Sequence, residues 1–194
     1  NNLTIPEGYE IEIKVIRDAA SITSGYNRGM LSSDAKYKIY LHQDTFIINK
    51  DFLNCLLKGF NDEATGMIGI IGTPQLDSSC VMWLGNRVGK LVSNCIYHTV
   101  KATIGEITSP TEVEAIDGLL MATQYDIPWR EDIFKGWDYY DISQSFEFRK
   151  AGHKVMVLPA AEPWCFHDDG ILELSEYYKT RDIFMQEYSD MLSC

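Results

Sequence analysis

The chain has no apolar run long enough to cross a membrane. Its longest, residues 67–72 and 155–159, fall far short of the roughly 18 to 20 residues that a spanning helix requires. Nor does it open with a basic stretch followed by an apolar one, so this sequence shows no secretory signal. Positive charge is scarce: 17 Lys and Arg face 28 Asp and Glu, for a formal net charge of -11. Nucleic acids are held largely by cations that neutralise phosphates, so this balance argues against such a partner, while the same acidity serves solubility. Cysteine is sparse and irregularly placed. Cys55, Cys80, Cys95, Cys165 and Cys194 form no C-x-x-C pair that would suggest zinc or redox chemistry, and they read as reduced thiols of a cytoplasmic protein.

What is present is the composition of a folded globular protein, 45% hydrophobic and 23% charged over 194 residues. A chain of this size buries enough apolar surface to fold without disulfide or metal staples. No repeat, low-complexity segment or linker divides it, so residues 1–194 read as one domain. After a turn at residues 6–8, Ile11, Ile13 and Val15 alternate with Glu12 and Lys14 up to Ile16, which predicts a strand with Asp18 at its carboxyl end. Ser21 then stands where a helix N-cap belongs. Ile22, Tyr26, Met30 and Leu31 recur at helical spacing until Ser32, Ser33 and Asp34 close the segment.

Further on, residues 37–41 predict a strand ending at His42, Gln43 and Asp44, residues 50–60 a helix, and residues 67–71 another buried strand. This alternation indicates an α/β fold with a mainly parallel sheet. Between residues 74 and 111 the Gly-punctuated pieces 83–85, 87–92 and 96–100 read as small strands and loops. A strand at 113–116 enters Asp117 and Gly118, a helix spans 142–151 with Gly152 at its C-cap, residues 154–158 form the last core strand, and 172–191 form a terminal helix. A sheet of this kind usually opens with a buried strand and its helix. Residues 1–6 read as the tail of such a helix, so the first strand and helix are expected to be missing from this stretch.

Ligands of parallel α/β sheets bind outside the carboxyl ends of the strands. The polar residues at those ends are Asp18, the trio His42, Gln43 and Asp44, the pair Asp117 and Gly118, and the run His167, Asp168 and Asp169. Asp138 and Asp141 open the long helix. Each also suits a plain structural role: Asp18, Asp44 and Asp117 as turn acids, His167 as a surface histidine, Asp138 and Asp141 as favourable charges at a helix N-terminus. Trp129, Trp137, Tyr139 and Tyr140 surround the last pair, and aromatic faces there suit sugar rings as well as core packing.

In their order along the chain these residues resemble family-two glycosyltransferases of the GT-A fold. Asp18-Ala19-Ala20-Ser21 is similar to the family's Asp-x-Gly-Ser turn, and Tyr26-Asn27-Arg28-Gly29 to the Asn-x-Gly of the following helix. His42-Gln43-Asp44 falls at the Asp-x-Asp metal motif, and Asp117-Gly118, Arg149-Lys150-Ala151-Gly152 and His167 follow in the family's order. The resemblance spans residues 11–170 and is nearest to a subfamily with His-Gln-Asp at the metal motif.

The resemblance implies a three-layer α/β sandwich and inverting transfer of a sugar from a nucleotide diphosphate sugar to a glycan or other hydroxyl acceptor. It places Asp44 and His167 at an Mg²⁺ or Mn²⁺ ion that neutralises the leaving diphosphate. It makes Asp141 the base that takes the acceptor proton, with Tyr140 standing where the family has Glu and with Asp138 as the substitute if the helix starts differently. Asp18, Asn27, His42, Gln43, Asp117 and Gly118 become substrate-binding, His42 in place of the first Asp of the motif. The replacements at His42 and Tyr140 also suit a non-catalytic nucleotide-sugar-binding or partner-binding module, and the same acids suit a metal-dependent phosphohydrolase.

Overall fold

A computed structural model describes residues 3–95, 98–168 and 174–192. The expectations placed on residues 1–2, 96–97, Asp169, residues 172–173 and Cys194 lie outside the described residues. In chain order the elements are α1 (Ile22–Leu31), β1 (Lys38–Leu41), β2 (Thr45–Ile47), α2 (Phe52–Gly59), β3 (Thr65–Gly69), β4 (Ile71–Thr73), a single 3-10 turn at Met82–Leu84, β5 (Val88–Cys95) and β6 (His98–Gly105). There follow β7 (Thr111–Glu112), β8 (Ala115–Ile116), β9 (Leu120–Thr123), α3 (Tyr140–Lys150), β10 (Lys154–Val157), β11 (Cys165–Asp168) and α4 (Tyr177–Glu187). No helix among the described residues is long and apolar enough to cross a membrane.

The result is a mixed α/β fold with two sheets. One runs β1-β9-β3-β10-β7, the other β2-β11-β5-β4-β8 with β6 on β5. The expected mainly parallel sheet is corrected here: among the described pairings only β10 with β3 and β11 with β5 are parallel. Parallel pairing needs a long crossover, which α3 supplies ahead of β10, whereas β5 and β6, close in sequence, pair antiparallel.

Side-chain alternation along β3 organises the core. Met67 joins Met30 of α1, Tyr140 and Phe148 of α3, and Met121, Val155 and Val157. Its neighbour Ile68 joins Phe52, Leu56 and Phe60 with Leu120 and Ala122 on the opposite side. The five-stranded sheet therefore carries α2 on one face and α1 with α3 on the other. Helix α3 is apolar on two sides, because Ile142 and Phe146 face a third cluster completed by Phe184 and Tyr188 of the terminal segment.

Several expected elements differ. The run 67–71 is two strands, since the chain leaves β3 at Gly69 and enters the second sheet at Ile71. Residues 11–16 form no strand, and Ile13 and Val15 are 73% and 67% exposed. Alternation specifies a strand only where a neighbour takes its backbone hydrogen bonds, and no described strand pairs with this run. Ile16 instead lies against Gly25 and Gly29 of α1. Residues 3–6 are not helical, and Leu3 packs on the α2 cluster. The small pieces expected before residue 111 include a long hairpin, β5 with β6, and residues 82–84 are a 3-10 turn. Of the strand expected at 113–116 only Ala115–Ile116 forms one, β8, while β2, β7, β9 and β11 are additional strands, and the terminal helix is confined to Tyr177–Glu187. Cys55, Cys80 and Cys165 form no disulfide.

Candidate functional site

Pairing between β1 and β9 sets Leu41 opposite Leu120, and the next residue, His42, donates its backbone N–H to the Leu119 carbonyl at 3.2 Å. The chain then turns, with the Thr45 N–H donating to the His42 carbonyl at 3.2 Å, and enters β2. Because β2 runs antiparallel to β11 with Thr45 opposite His167, and because the Asp168 N–H donates to the Asp44 carbonyl at 2.9 Å, the Asp44 carboxylate is delivered beside His167. Two residues separated by more than a hundred positions become neighbours through one strand pairing.

The Asp44 Oδ1 atom lies 3.5 Å from His167 Nε2 and 3.8 Å from His42 Nδ1. All three potential ligand atoms fall within 4.8 Å of one another. Two ligands about 2.1 Å from a tetrahedral ion are themselves about 3.4 Å apart, so the spacing fits a shared cation. Asp44 Oδ1 is buried and has no hydrogen-bond partner. A buried oxygen without a hydrogen-bond partner, faced by two imidazole nitrogens, makes a group that could hold a metal ion. Burial pulls the pKa of His42 below its ordinary value, against the opposing pull of Asp117 and Asp44, and this favours the neutral imidazole that a metal requires.

The second half of the site is built by the start of α3. Tyr139 adopts a left-handed backbone with φ 59°, unusual for a non-glycine residue, and its buried ring donates a hydroxyl hydrogen bond to the Cys80 carbonyl at 2.8 Å. This turn directs Tyr140 and Asp141 at the β8–β9 connection. The Tyr140 hydroxyl is hydrogen-bonded to His42 Nε2, and its ring fills the space beside Gly118, where any Cβ would collide with it. Asp141 accepts from the Gly118 N–H through Oδ2 at 2.9 Å and from the Ile142 N–H through Oδ1 at 2.8 Å. Burial, and then the charge of Asp117, raise the pKa of Asp141 to about 7, with both backbone donors opposing the rise. Asp117 Oδ1 accepts from the Leu119 N–H at 3.1 Å, which shapes the turn.

The structure thus brings Asp44, His167 and His42 together and joins them through Tyr140 to Gly118, Asp117 and Asp141. Asp18 and Gln43, both exposed, line a cleft of roughly 1830 Å³ that also reaches His42, Asp44 and Trp137. Asn27 stands apart: it is buried, donating to the Trp129 carbonyl at 2.9 Å and accepting from the Trp129 N–H at 2.8 Å. Its amide holds the chain before α3. The pKa of Asp138 is raised by burial and by Glu176, the residue before α4, so this acid belongs to the α4 side of the helix start. Of the aromatics, Trp129, Tyr139 and Tyr140 are core, while Trp137 is 63% exposed on the cleft. The pairing of Tyr140 with His42 is the contact that the sequence did not disclose. Nothing in the spacing of two residues 98 positions apart signals it.

None of the curated proteins compared with this chain matches it. A family model described as Glycosyltransferase like family matches residues 1–188, and the chain belongs to that family.

Proposed function

We propose that the chain is a metal-assisted glycosyltransferase of GT-A arrangement, a single unit that transfers a sugar with inversion from a nucleotide diphosphate sugar to a hydroxyl acceptor. Membership of a glycosyltransferase-like family supports sugar transfer. The observation that carries the metal reading is the buried, unpartnered Asp44 Oδ1 between His42 Nδ1 and His167 Nε2.

His42, Asp44 and His167 hold the cation. When bound, a divalent cation neutralises the charge that develops on the departing diphosphate. Two imidazoles and one carboxylate suit Mn²⁺ or a still softer ion better than Mg²⁺, which prefers an oxygen shell. Asp18 and Gln43 contact the donor from the cleft that His42 and Asp44 also line. Asp141 takes the proton of the acceptor hydroxyl, a role suited to a carboxylate whose pKa is raised to about 7, since a base is most effective when its pKa lies near the working pH. Asp138 lacks the link to Gly118 and is the weaker choice.

Calorimetric titration with nucleoside diphosphates, with and without Mn²⁺, tests the site. Mn²⁺-dependent binding of one nucleotide is expected, and Asp44→Asn is expected to abolish that dependence with an unchanged unfolding midpoint, because the side chain is partly exposed and outside the apolar core. Undiminished Mn²⁺-dependent affinity in the variant would reduce Asp44 to a turn acid.

A further inference from the structure

The geometry points to Tyr140 as a positioning residue for His42, one that turns the imidazole so that it meets the cation through Nδ1. The inference rests on the metal reading above. An imidazole offers two nitrogens, and in the neutral ring one binds a metal while the other carries the proton. His42 Nε2 is engaged by the Tyr140 hydroxyl, and Nδ1 is the nitrogen turned to Asp44. His167 presents the other nitrogen, Nε2, to the same carboxylate oxygen.

The phenol is fixed independently of His42. The Tyr140 ring is buried, lies against Gly118, and meets Tyr26 edge-on with centroids 6.0 Å apart. The left-handed Tyr139 sets where the side chain leaves the helix start. The backbone of His42 is likewise held, by its bond to Leu119. What remains free is the rotation of the imidazole, and the phenol selects one orientation. With the cation on Nδ1, the ring proton sits on Nε2 and is donated to the phenol oxygen. This outer hydrogen bond fixes the tautomer and strengthens the ligand. His42 and Tyr140, two of the positions at which the chain departs from the pattern it resembles, are therefore in contact and act together.

The test uses metal alone on the full chain. Titrated with MnCl₂, Tyr140→Phe is expected to bind about 10- to 100-fold more weakly than the wild type. Pulsed electron paramagnetic resonance is expected to show two imidazole nitrogens on Mn²⁺ in the wild type, and only that of His167 in Tyr140→Phe and in His42→Ala. Should Tyr140→Phe fail to fold, ¹⁵N-histidine spectra of the wild type with Zn²⁺ decide the question: metal on Nδ1 and proton on Nε2 of His42 are expected, against metal on Nε2 of His167. Unchanged affinity with two imidazole nitrogens in Tyr140→Phe, or metal on Nε2 of His42, overturns the inference and leaves the metal site standing. A wild-type Mn²⁺ spectrum without imidazole nitrogen overturns both.

Discussion

Asp141 combines two influences that oppose each other: backbone donors from Gly118 and Ile142 stabilise its charge, while burial and Asp117 raise its pKa to about 7. The balance leaves it half protonated near neutral pH. Transfer is therefore expected to rise as the pH passes through about 7, because only the deprotonated form accepts the acceptor proton. Asp141→Asn is expected to lower the rate by about 10² to 10⁴ and to remove that limb, with donor binding little changed. A pH–rate profile of both proteins, beside that of Asp138→Asn, decides between the two acids. Gly118 is a second informative residue. A methyl group there would meet the Tyr140 ring, so Gly118→Ala is expected to cost about 1 to 3 kcal/mol by overpacking and to weaken Mn²⁺ binding through the displaced phenol. Chemical denaturation and metal titration measure the two effects separately.

Helix α3 is the element on which the proposed site depends. Its first turn carries Tyr140 and Asp141, its Phe148 enters the core under the five-stranded sheet, and its Phe146 packs edge-on against Phe184 of α4, with ring centroids 5.0 Å apart. Arg130 adds a polar clamp, reaching Glu147 of α3 at 3.3 Å and Glu187 of α4 at 2.8 Å. Phe146 is fully buried, so Phe146→Ala is expected to destabilise the protein by about 3 to 5 kcal/mol, as a loss of apolar burial plus a cavity. The expected signature in hydrogen exchange is faster opening of α4 than of β3. At the other end of the core, α1 starts where Ser21 accepts from the Ser24 N–H and Ser24 returns the bond to the Ser21 N–H. This reciprocal cap is a purely local device.

For the whole molecule, the pKa of Asp141 links stability to pH. Its folded value, about 7, lies above the 3.8 of an ordinary aspartate, so the folded protein keeps a proton that the unfolded chain has already released. The resulting stabilisation is complete below about pH 4 and is lost as the pH rises through about 7. Asp138, raised in the same direction, adds to the trend. Denaturant titrations at pH 5 and pH 8 are expected to show Asp141 lowering stability at the higher pH, and a smaller difference between the two in Asp141→Asn. The pattern of residues was enough to place α1, β1, α2, β10 and the body of α3, because caps and helical or strand periods are written within a few residues of one another. The order of its motifs, set beside the family it resembles, also named Asp44 and His167, which lie together in the fold, and Asp141, whose role is a proposal. The isolated run 11–16 shows the limit, since alternation names a strand but not a partner to receive it. Sheet pairing alone decided that Asp44 and His167 lie 3.5 Å apart, and the left-handed turn at Tyr139 decided that the Tyr140 hydroxyl reaches His42. Both depend on contacts between segments a hundred residues apart, where the geometry is set by packing and by backbone hydrogen bonds to other elements.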